Sequence, residues 1–106
     1  MERTTYEANL GIPGKCLRAW RALVVGCPPR VAARGGWWSN DDLCAYTGHV
    51  NDRRKLAELR EKCPELIDRK EEKRDGASPI ALFRIAEKFD PRRAPERAAA
   101  MQGVLL

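Results

Sequence analysis

The sequence predicts a mainly helical α+β domain in which three helices precede a β-hairpin. Apolar residues recur at helical spacing in two stretches, residues 16–24 and 56–63. The segment "RDGAS", residues 74–78, carries an Asp-Gly turn signal between two stretches that can be extended. With 106 residues, the chain has the length of one small domain.

The first helix is predicted within "IPGKCLRAWRALVVGCPP". Pro28 and Pro29 end it, because neither proline can donate a helical N–H. Residues 1–11 are polar and show no period, so we expect a flexible N-terminal arm before a domain over residues 12–90. The apolar stripe of this helix consists of Cys16, Leu17, Trp20, Leu23 and Val24.

A short extended segment follows the helix-breaking pair Gly35 and Gly36. It contains Trp37 and Trp38, and strand alternation places one indole inward and the other outward. Such a pair packs in the core and at its rim, or it stacks on a base or contacts a protein partner.

The second helix is predicted between Ser39 and Gly48. Ser39 is a candidate N-cap, and Asp42 three residues later completes the pattern of a capping box. Leu43 and Tyr46 are expected to face inward. Gly48 suits a left-handed cap at the helix end.

The third helix is predicted over residues 51–62, with Asn51 as its cap and Pro64 as its stop. Leu56, Leu59 and Cys63 form its inward stripe at spacings of three and four. The opposite face is expected to carry Arg54, Glu58 and Glu61.

The last structured part is predicted to be a charged hairpin. Leu66 and Ile67 begin an extended run, and "ALFRIA" forms the returning strand. A helix over residues 78–89 is the rival interpretation, because "SP" also resembles a helix start and apolar residues follow at helical spacing. Residues 91–106 are expected to be a partly helical tail whose apolar end, "VLL", packs on the domain or on a second copy.

The charge of the chain favours an anionic partner such as nucleic acid. The formal net charge is +5. Its excess lies in residues 1–40, which carry six basic and two acidic residues, whereas residues 50–75 carry nine and eight.

Several functional classes have no support in the sequence. The four cysteines form no C-x-x-C pair and His49 is the single histidine, so we expect free thiols and no metal site. No nucleophile elbow or phosphate-binding loop occurs, so neither an enzyme nor a cofactor is expected. No stretch approaches about 20 apolar residues and no apolar signal segment opens the chain, so a cytoplasmic protein without a membrane span is expected.

The order of these elements resembles the winged helix-turn-helix family of small bacterial and phage DNA-binding modules. The resemblance covers about residues 13–88. "WWSNDDLCAYTGHVNDRRKLAELRE" looks like the two helices of the motif, and "LIDRKEEKRDGASPIALFRI" looks like the wing. The resemblance implies that helix 51–62 enters the major groove of double-stranded DNA and that the wing, residues 68–76, lies on the backbone.

The residues at these places suit those roles. Arginine can bind guanine and asparagine can bind adenine through paired hydrogen bonds, and lysine attracts phosphate. Because Glu58 and Glu61 repel phosphate, base contacts are expected in the first turn only. The expected DNA contacts are Asn51, Arg53, Arg54 and Lys55 in the helix, His49 in the turn, Ser39 and Asn40 at the preceding helix start, and Arg69, Lys70, Lys73 and Arg74 in the wing.

Two functions follow from this pattern. The first is a non-enzymatic DNA-binding protein, either a transcriptional regulator or an accessory of replication or recombination. The second is a winged-helix module for protein interaction, such as a phage protein that binds a host factor. In the second, Trp37, Trp38 and the apolar C-terminal end are the anchors. A homodimer through the C-terminal tail is a further expected contact.

Overall fold

Helices come first and a β-hairpin follows them in the computed structural model, which describes residues 2–100. The α-helices are α1 (Thr5–Leu10), α2 (Leu17–Val25), α3 (Pro29–Ala33), α4 (Asn40–Thr47), α5 (Lys55–Lys62) and α6 (Pro95–Ala100). The strands are β1 (Ile67–Arg74) and β2 (Ala77–Ile85). Shorter 3₁₀ turns span Gly14–Cys16, Val50–Arg54, Glu87–Phe89 and Pro91–Arg93. The chain is therefore an α+β protein with a mainly helical first part.

The N-terminal segment is a packed helix, so the prediction of a flexible arm over residues 1–11 is wrong. Thr4 and Glu7 form a capping box at the start of α1. The Glu7 carboxylate is fully buried and accepts two hydrogen bonds from the Arg21 guanidinium of α2, at 2.9 and 2.7 Å. Tyr6 and Leu10 of this helix also pack partly against the core. The helix was not predicted because two apolar positions give little periodicity and the buried carboxylate has its partner far along the chain.

Helix α2 is the centre of the hydrophobic core. The predicted stripe is buried throughout, and Trp20 is 0% exposed. The helix ends at Val25, before the two prolines, as predicted. Pro29 then occupies the first turn of the short helix α3, where a missing N–H costs nothing, and Val31 packs into the core.

The hairpin is confirmed, and the rival helix over residues 78–89 is wrong. β1 and β2 pair antiparallel, with Ile67 opposite Ile85 and Arg69 opposite Phe83. Gly76 has a φ of 67°, the left-handed conformation that the Asp-Gly signal indicated for the turn.

The tryptophan pair adds a third extended segment beside β2. Trp38 exchanges two backbone hydrogen bonds with Phe83, at 2.7 and 2.8 Å. Trp38 is 2% exposed and Trp37 is half-buried, which confirms one inward indole and one outward indole. The edge of the Trp38 ring also meets Tyr46, with 5.6 Å between the ring centroids.

The segment after β2 folds back onto α1. The Tyr6 hydroxyl donates to the Phe89 carbonyl at 2.7 Å, and Arg97 of α6 donates to the carbonyls of Lys88 and Asp90. The described part of the predicted tail is therefore packed and partly helical. The apolar "VLL" end lies outside the described residues, and dimerisation through it stays a prediction.

None of the helices within residues 2–100 has the length and apolar character that crossing a bilayer requires.

Replacement of Glu7 by glutamine is expected to lower the free energy of unfolding by about 1–3 kcal/mol, because Arg21 loses its charged acceptor in a buried site. Urea titration followed by tryptophan fluorescence measures this change. Glu2→Gln, on an exposed residue of the same segment, is the matched control and should leave the midpoint in place. Equal midpoints for the two variants would contradict the packed position of α1.

The buried carboxylates should make the fold sensitive to acid. Burial alone raises the pKa of Glu7, Asp42 and Asp90, but hydrogen bonds from arginines and backbone N–H groups outweigh it, so each pKa is lowered. Arg18 lowers the pKa of Asp52 in the same way. A lowered folded pKa stabilises the protein above the unfolded pKa of about 4, and this stabilisation disappears as the pH falls through the folded value.

The free energy of unfolding should therefore be flat between about pH 5 and 7 and fall steadily below about pH 4. Urea titrations across this range measure it, with Glu7→Gln expected to reduce the slope. A free energy of unfolding that is the same at pH 3 and pH 6 would contradict the four paired carboxylates.

Candidate nucleic-acid interface

The start of α4 is fixed by the predicted capping box. The Ser39 hydroxyl accepts from the Asp42 N–H at 3.1 Å, and the Asp42 carboxylate accepts from the Ser39 N–H at 2.9 Å and pairs with Arg34. The Ser39 N–H is thus used inside the fold, and the Ser39 hydroxyl acts there as an acceptor. Asn40 is half-buried, and its Oδ1 atom has no hydrogen-bond partner.

The turn between α4 and α5 leads directly into a 3₁₀ turn. Gly48 adopts the predicted left-handed cap, with a φ of 74°. His49 and Val50 are exposed, and Val50–Arg54 then form a 3₁₀ turn that continues into α5. The predicted helix over residues 51–62 is therefore helical throughout. Asn51 is an exposed member of its first turn, and no side chain caps α5.

Asp52 fixes this first turn to the core. It is 1% exposed, and its two oxygens accept from Nε and Nη2 of Arg18, at 2.8 and 2.7 Å. Arg18, on α2, is the main cause of the lowered pKa of Asp52. The sequence pattern did not identify this pair, because an aspartate next to two arginines reads as part of an exposed charged run.

The pair determines which residues of the helix face outward. Leu56 and Leu59 are fully buried, as predicted, and Cys63 packs partly against the core. The outward face carries Arg53, Arg54, Ala57, Arg60 and Glu61, which are all exposed.

The cations on this face differ in their partners. Arg53 pairs with Asp41 at 3.0 Å, and both side chains are more than two-thirds exposed. Within the part of the chain that the structure describes, the side chains of Arg54 and Arg60 form no hydrogen bond or ion pair. Arg60 was not among the expected DNA contacts, because the sequence suggested contacts in the first turn only. It nevertheless follows Arg53 and Ala57 at helical spacing.

Glu58 lies at the side of the helix and does not face outward as predicted. It pairs with Lys55 at 3.2 Å and with Lys15 at 3.6 Å. Lys55, expected to touch DNA, is consequently half-buried beside this carboxylate. Of the two carboxylates that were expected to repel phosphate, Glu58 is therefore compensated by two lysines, whereas Glu61 stays exposed on the outward face.

The two faces of the hairpin have different neighbours. Arg69 and Phe83 line a cleft of about 260 Å³ together with Ala57, Arg60 and Glu61. Arg69 therefore lies on the side of α5, where it pairs with Glu71 at 3.2 Å.

Lys70 points to the other side of the hairpin. Its amine lies 4.6 Å from the ring centroid of Trp37. At the tip, Arg74 donates to the Ser78 carbonyl at 3.0 and 3.3 Å. Lys73 is exposed at the bulge between Glu72 and Arg74.

Catalytic and metal chemistry receive no support from residues 2–100. No group of three or more His, Cys, Asp or Glu side chains in this part of the chain is arranged to hold a metal ion. All four cysteines are free thiols. Burial raises the pKa of Cys16, Cys44 and Cys63, which makes these thiols poor nucleophiles at neutral pH.

No protein-family model matches the chain, and comparisons with the curated proteins and with the solved structures find no similar protein. A proposal for its function therefore has to come from the residues and contacts described above.

Asp52→Asn should lower the free energy of unfolding by about 1–3 kcal/mol and speed amide exchange of residues 50–54, because Arg18 loses a charged acceptor with two oxygens. Urea titration and hydrogen exchange measure the two effects. Asp41→Asn is the matched control, since its pair with Arg53 is exposed and should contribute less than about 1 kcal/mol. Unchanged exchange at residues 50–54 in Asp52→Asn would contradict the role of the pair.

Proposed function

We propose that the chain is a winged helix-turn-helix DNA-binding protein, in which the helix over Val50–Lys62 enters the major groove and the hairpin contacts the backbone. One observation carries the proposal. Arg60 of α5 and Arg69 of the hairpin line one cleft, and Arg54 is exposed on the same helix outside this cleft. The guanidinium groups of Arg54 and Arg60 have no hydrogen bond or ion pair with the described residues. The antiparallel hairpin after the helices and the Trp38–Phe83 pairing also suit this fold.

The dimensions of the helix fit the groove. Arg54 and Arg60 are six residues apart, which is about 9 Å along a helix axis. The major groove is about 12 Å wide and admits one helix. Six residues also turn the helix by a net angle of about 120°, so the two side chains leave it in different directions. One arginine can then meet base edges while the other meets a phosphate at the groove wall, and either guanidinium can form two parallel hydrogen bonds.

The remaining contacts are divided between helix and hairpin. Asn51 and Arg53 lie at the helix start, which is the end that meets base edges, and His49 lies just before it. Arg69, Lys73 and Arg74 provide positive charge for the backbone from the hairpin. Lys70 is left out of this set, because it is on the Trp37 side of the hairpin.

Asp41 is expected to weaken DNA binding in the free protein. It holds Arg53 in an exposed ion pair that has to open before Arg53 can reach a base or phosphate. Such a pair is weak in water, so its opening costs little. When Arg53 leaves Asp41, a well-placed acceptor on the DNA has to take the place of the carboxylate. Asp41 therefore disfavours contacts in which Arg53 finds no such acceptor.

The biological role that suits such a module is transcriptional regulation, or an accessory role in replication or recombination, in a bacterium or a phage and in the cytoplasm. The support for this role is the helix-and-hairpin surface itself, on which Arg54, Arg60 and Arg69 are exposed.

A second candidate function is a protein-interaction module. It is favoured by an apolar groove lined by Pro28, Pro29, Ala45 and Tyr46, and Tyr46 is 47% exposed. Exposed aromatic and proline side chains in a groove are typical of protein contacts. Asp41 also lines this groove and pairs with Arg53, so the groove adjoins the proposed DNA surface. Tyr46 lies outside that surface, so variants of Tyr46 can separate the two functions.

Arg54→Ala combined with Arg60→Ala should weaken binding to random-sequence duplex DNA by at least about tenfold at low salt, because two charged hydrogen bonds are lost. It should also lower the slope of log affinity against log salt by about 2. Fluorescence anisotropy with a labelled duplex measures both quantities.

Arg30→Ala is the matched control, because Arg30 is exposed, lines the apolar groove and lies outside the proposed surface. Its affinity for duplex should stay within about twofold of the original. A chain that binds no duplex at low salt, or a double variant that binds as well as Arg30→Ala, would overturn the proposed function. A Tyr46→Ala variant that instead loses a protein partner would favour the second candidate.

A further inference from the structure

We propose that a second site binds a phosphate-class anion, in the cleft between the Gly35-Gly36 turn, the end of β2 and the 3₁₀ turn Pro91–Arg93. The cleft has a volume of about 520 Å³ and is lined by three arginines, Arg84, Arg92 and Arg93. None of them belongs to the proposed DNA surface, and the inference does not depend on that function.

Arg84 is oriented by the outward tryptophan. Its guanidinium lies 4.3 Å from the ring centroid of Trp37, and its nearest carboxylate oxygen, on Asp68, is 3.8 Å away. That distance is longer than a hydrogen bond. A guanidinium held over an aromatic ring can still direct N–H donors from its edge to two oxygens of a phosphate.

The charge balance inside the cleft is positive. Asp90 is 4% exposed, and its carboxylate accepts from Nε and Nη2 of Arg92, both at 3.0 Å. These two residues therefore compensate each other. The backbone N–H of Arg93 donates to the Asp90 carbonyl at 3.1 Å, but the Arg93 guanidinium forms no hydrogen bond or ion pair with any residue that the structure describes. Arg84 and Arg93 are then opposed by the exposed Glu87 in the lining and by Asp68, which lies 3.8 Å from Arg84.

The glycine wall leaves room for an anion beside the arginines. Gly35 and Gly36 both have a positive φ, at 69° and 96°, so side chains are disfavoured at both positions. Their N–H groups already donate to the carbonyls of Ala32 and Val31. The donors for an anion are therefore the guanidinium groups, and the glycines contribute space.

The cleft lies on the opposite side of the hairpin from α5. Arg84 neighbours Phe83 in β2, and successive side chains of a strand point to opposite faces. Phe83 lines the cleft beside α5, so Arg84 points away from it. A duplex on α5 does not supply the phosphate for this site. The anion comes from a free phosphorylated compound or from the backbone of another nucleic-acid segment.

The test is a titration of the ¹⁵N-labelled full chain with pyrophosphate, followed by amide and indole chemical shifts, with potassium chloride added to a second sample at equal ionic strength. We expect saturable shifts at residues 35–37, 84–86 and 92–93, including the Trp37 indole, with a dissociation constant on the order of 1 mM. Shifts that follow ionic strength alone would overturn the proposal.

Arg93→Gln removes an exposed side chain without a described partner and should weaken pyrophosphate binding about tenfold. Arg84→Gln should act similarly, but it also removes the stack on Trp37, so Arg93→Gln decides the outcome if Arg84→Gln unfolds. Arg30→Gln is the matched control and should bind as the original chain does. Equal affinity of Arg93→Gln and Arg30→Gln for pyrophosphate would contradict the site.

Titration with a single-stranded oligonucleotide separates the two sources of phosphate. If Arg93→Gln weakens oligonucleotide binding as much as pyrophosphate binding, the site holds a nucleic-acid backbone. If it weakens only pyrophosphate binding, the site holds a free phosphorylated compound. Arg54 and Arg60 are unchanged in every variant of this experiment. Both results can therefore be interpreted even if α5 does not bind duplex DNA.

Discussion

The ion pair between Asp52 and Arg18 is the contact on which the proposed surface depends. It buries a carboxylate in the first turn of the helix over Val50–Lys62 and joins that turn to the central helix α2. Once the turn is held, Leu56 and Leu59 have to face the core, and Arg54 and Arg60 have to face solvent. A rigid helix start is what groove recognition requires, since small displacements of a guanidinium cost paired hydrogen bonds.

Buried carboxylates paired with arginines also occur elsewhere in the fold. Glu7, Asp42 and Asp90 are each buried and each paired with an arginine, namely Arg21, Arg34 and Arg92. Much of the basic excess in the first forty residues is therefore used inside the protein and is not displayed to a partner. The net charge already counts these pairs and does not show where unpaired positive charge lies, so the arginines without described partners are the informative ones. Such pairs are costly to break by removal of one partner, so they hold short helices that have few apolar contacts.

Elements with apolar residues at regular spacing or with a local cap or turn signal could be predicted from the sequence. Elements held by polar contacts to distant residues could not. The stripe of α2, the inward Leu56 and Leu59, the Ser39 capping box and the Asp-Gly turn all carry local signals. Helix α1 and the Asp52 pair depend on arginines 14 and 34 residues away, which no local pattern indicates. The contacts of Lys70 and Glu58 could not be predicted, because they are made with Trp37 and Lys15, which are distant in the chain.

The most direct test of the proposed DNA surface is to add a random-sequence duplex to the ¹⁵N-labelled chain at low salt and to map the amide shifts. The proposed function predicts that the largest shifts fall on residues 49–61 and on the hairpin at residues 69 and 73–74, and that raising the salt reverses them. Shifts confined to the apolar groove around Tyr46, or none at all, would contradict it.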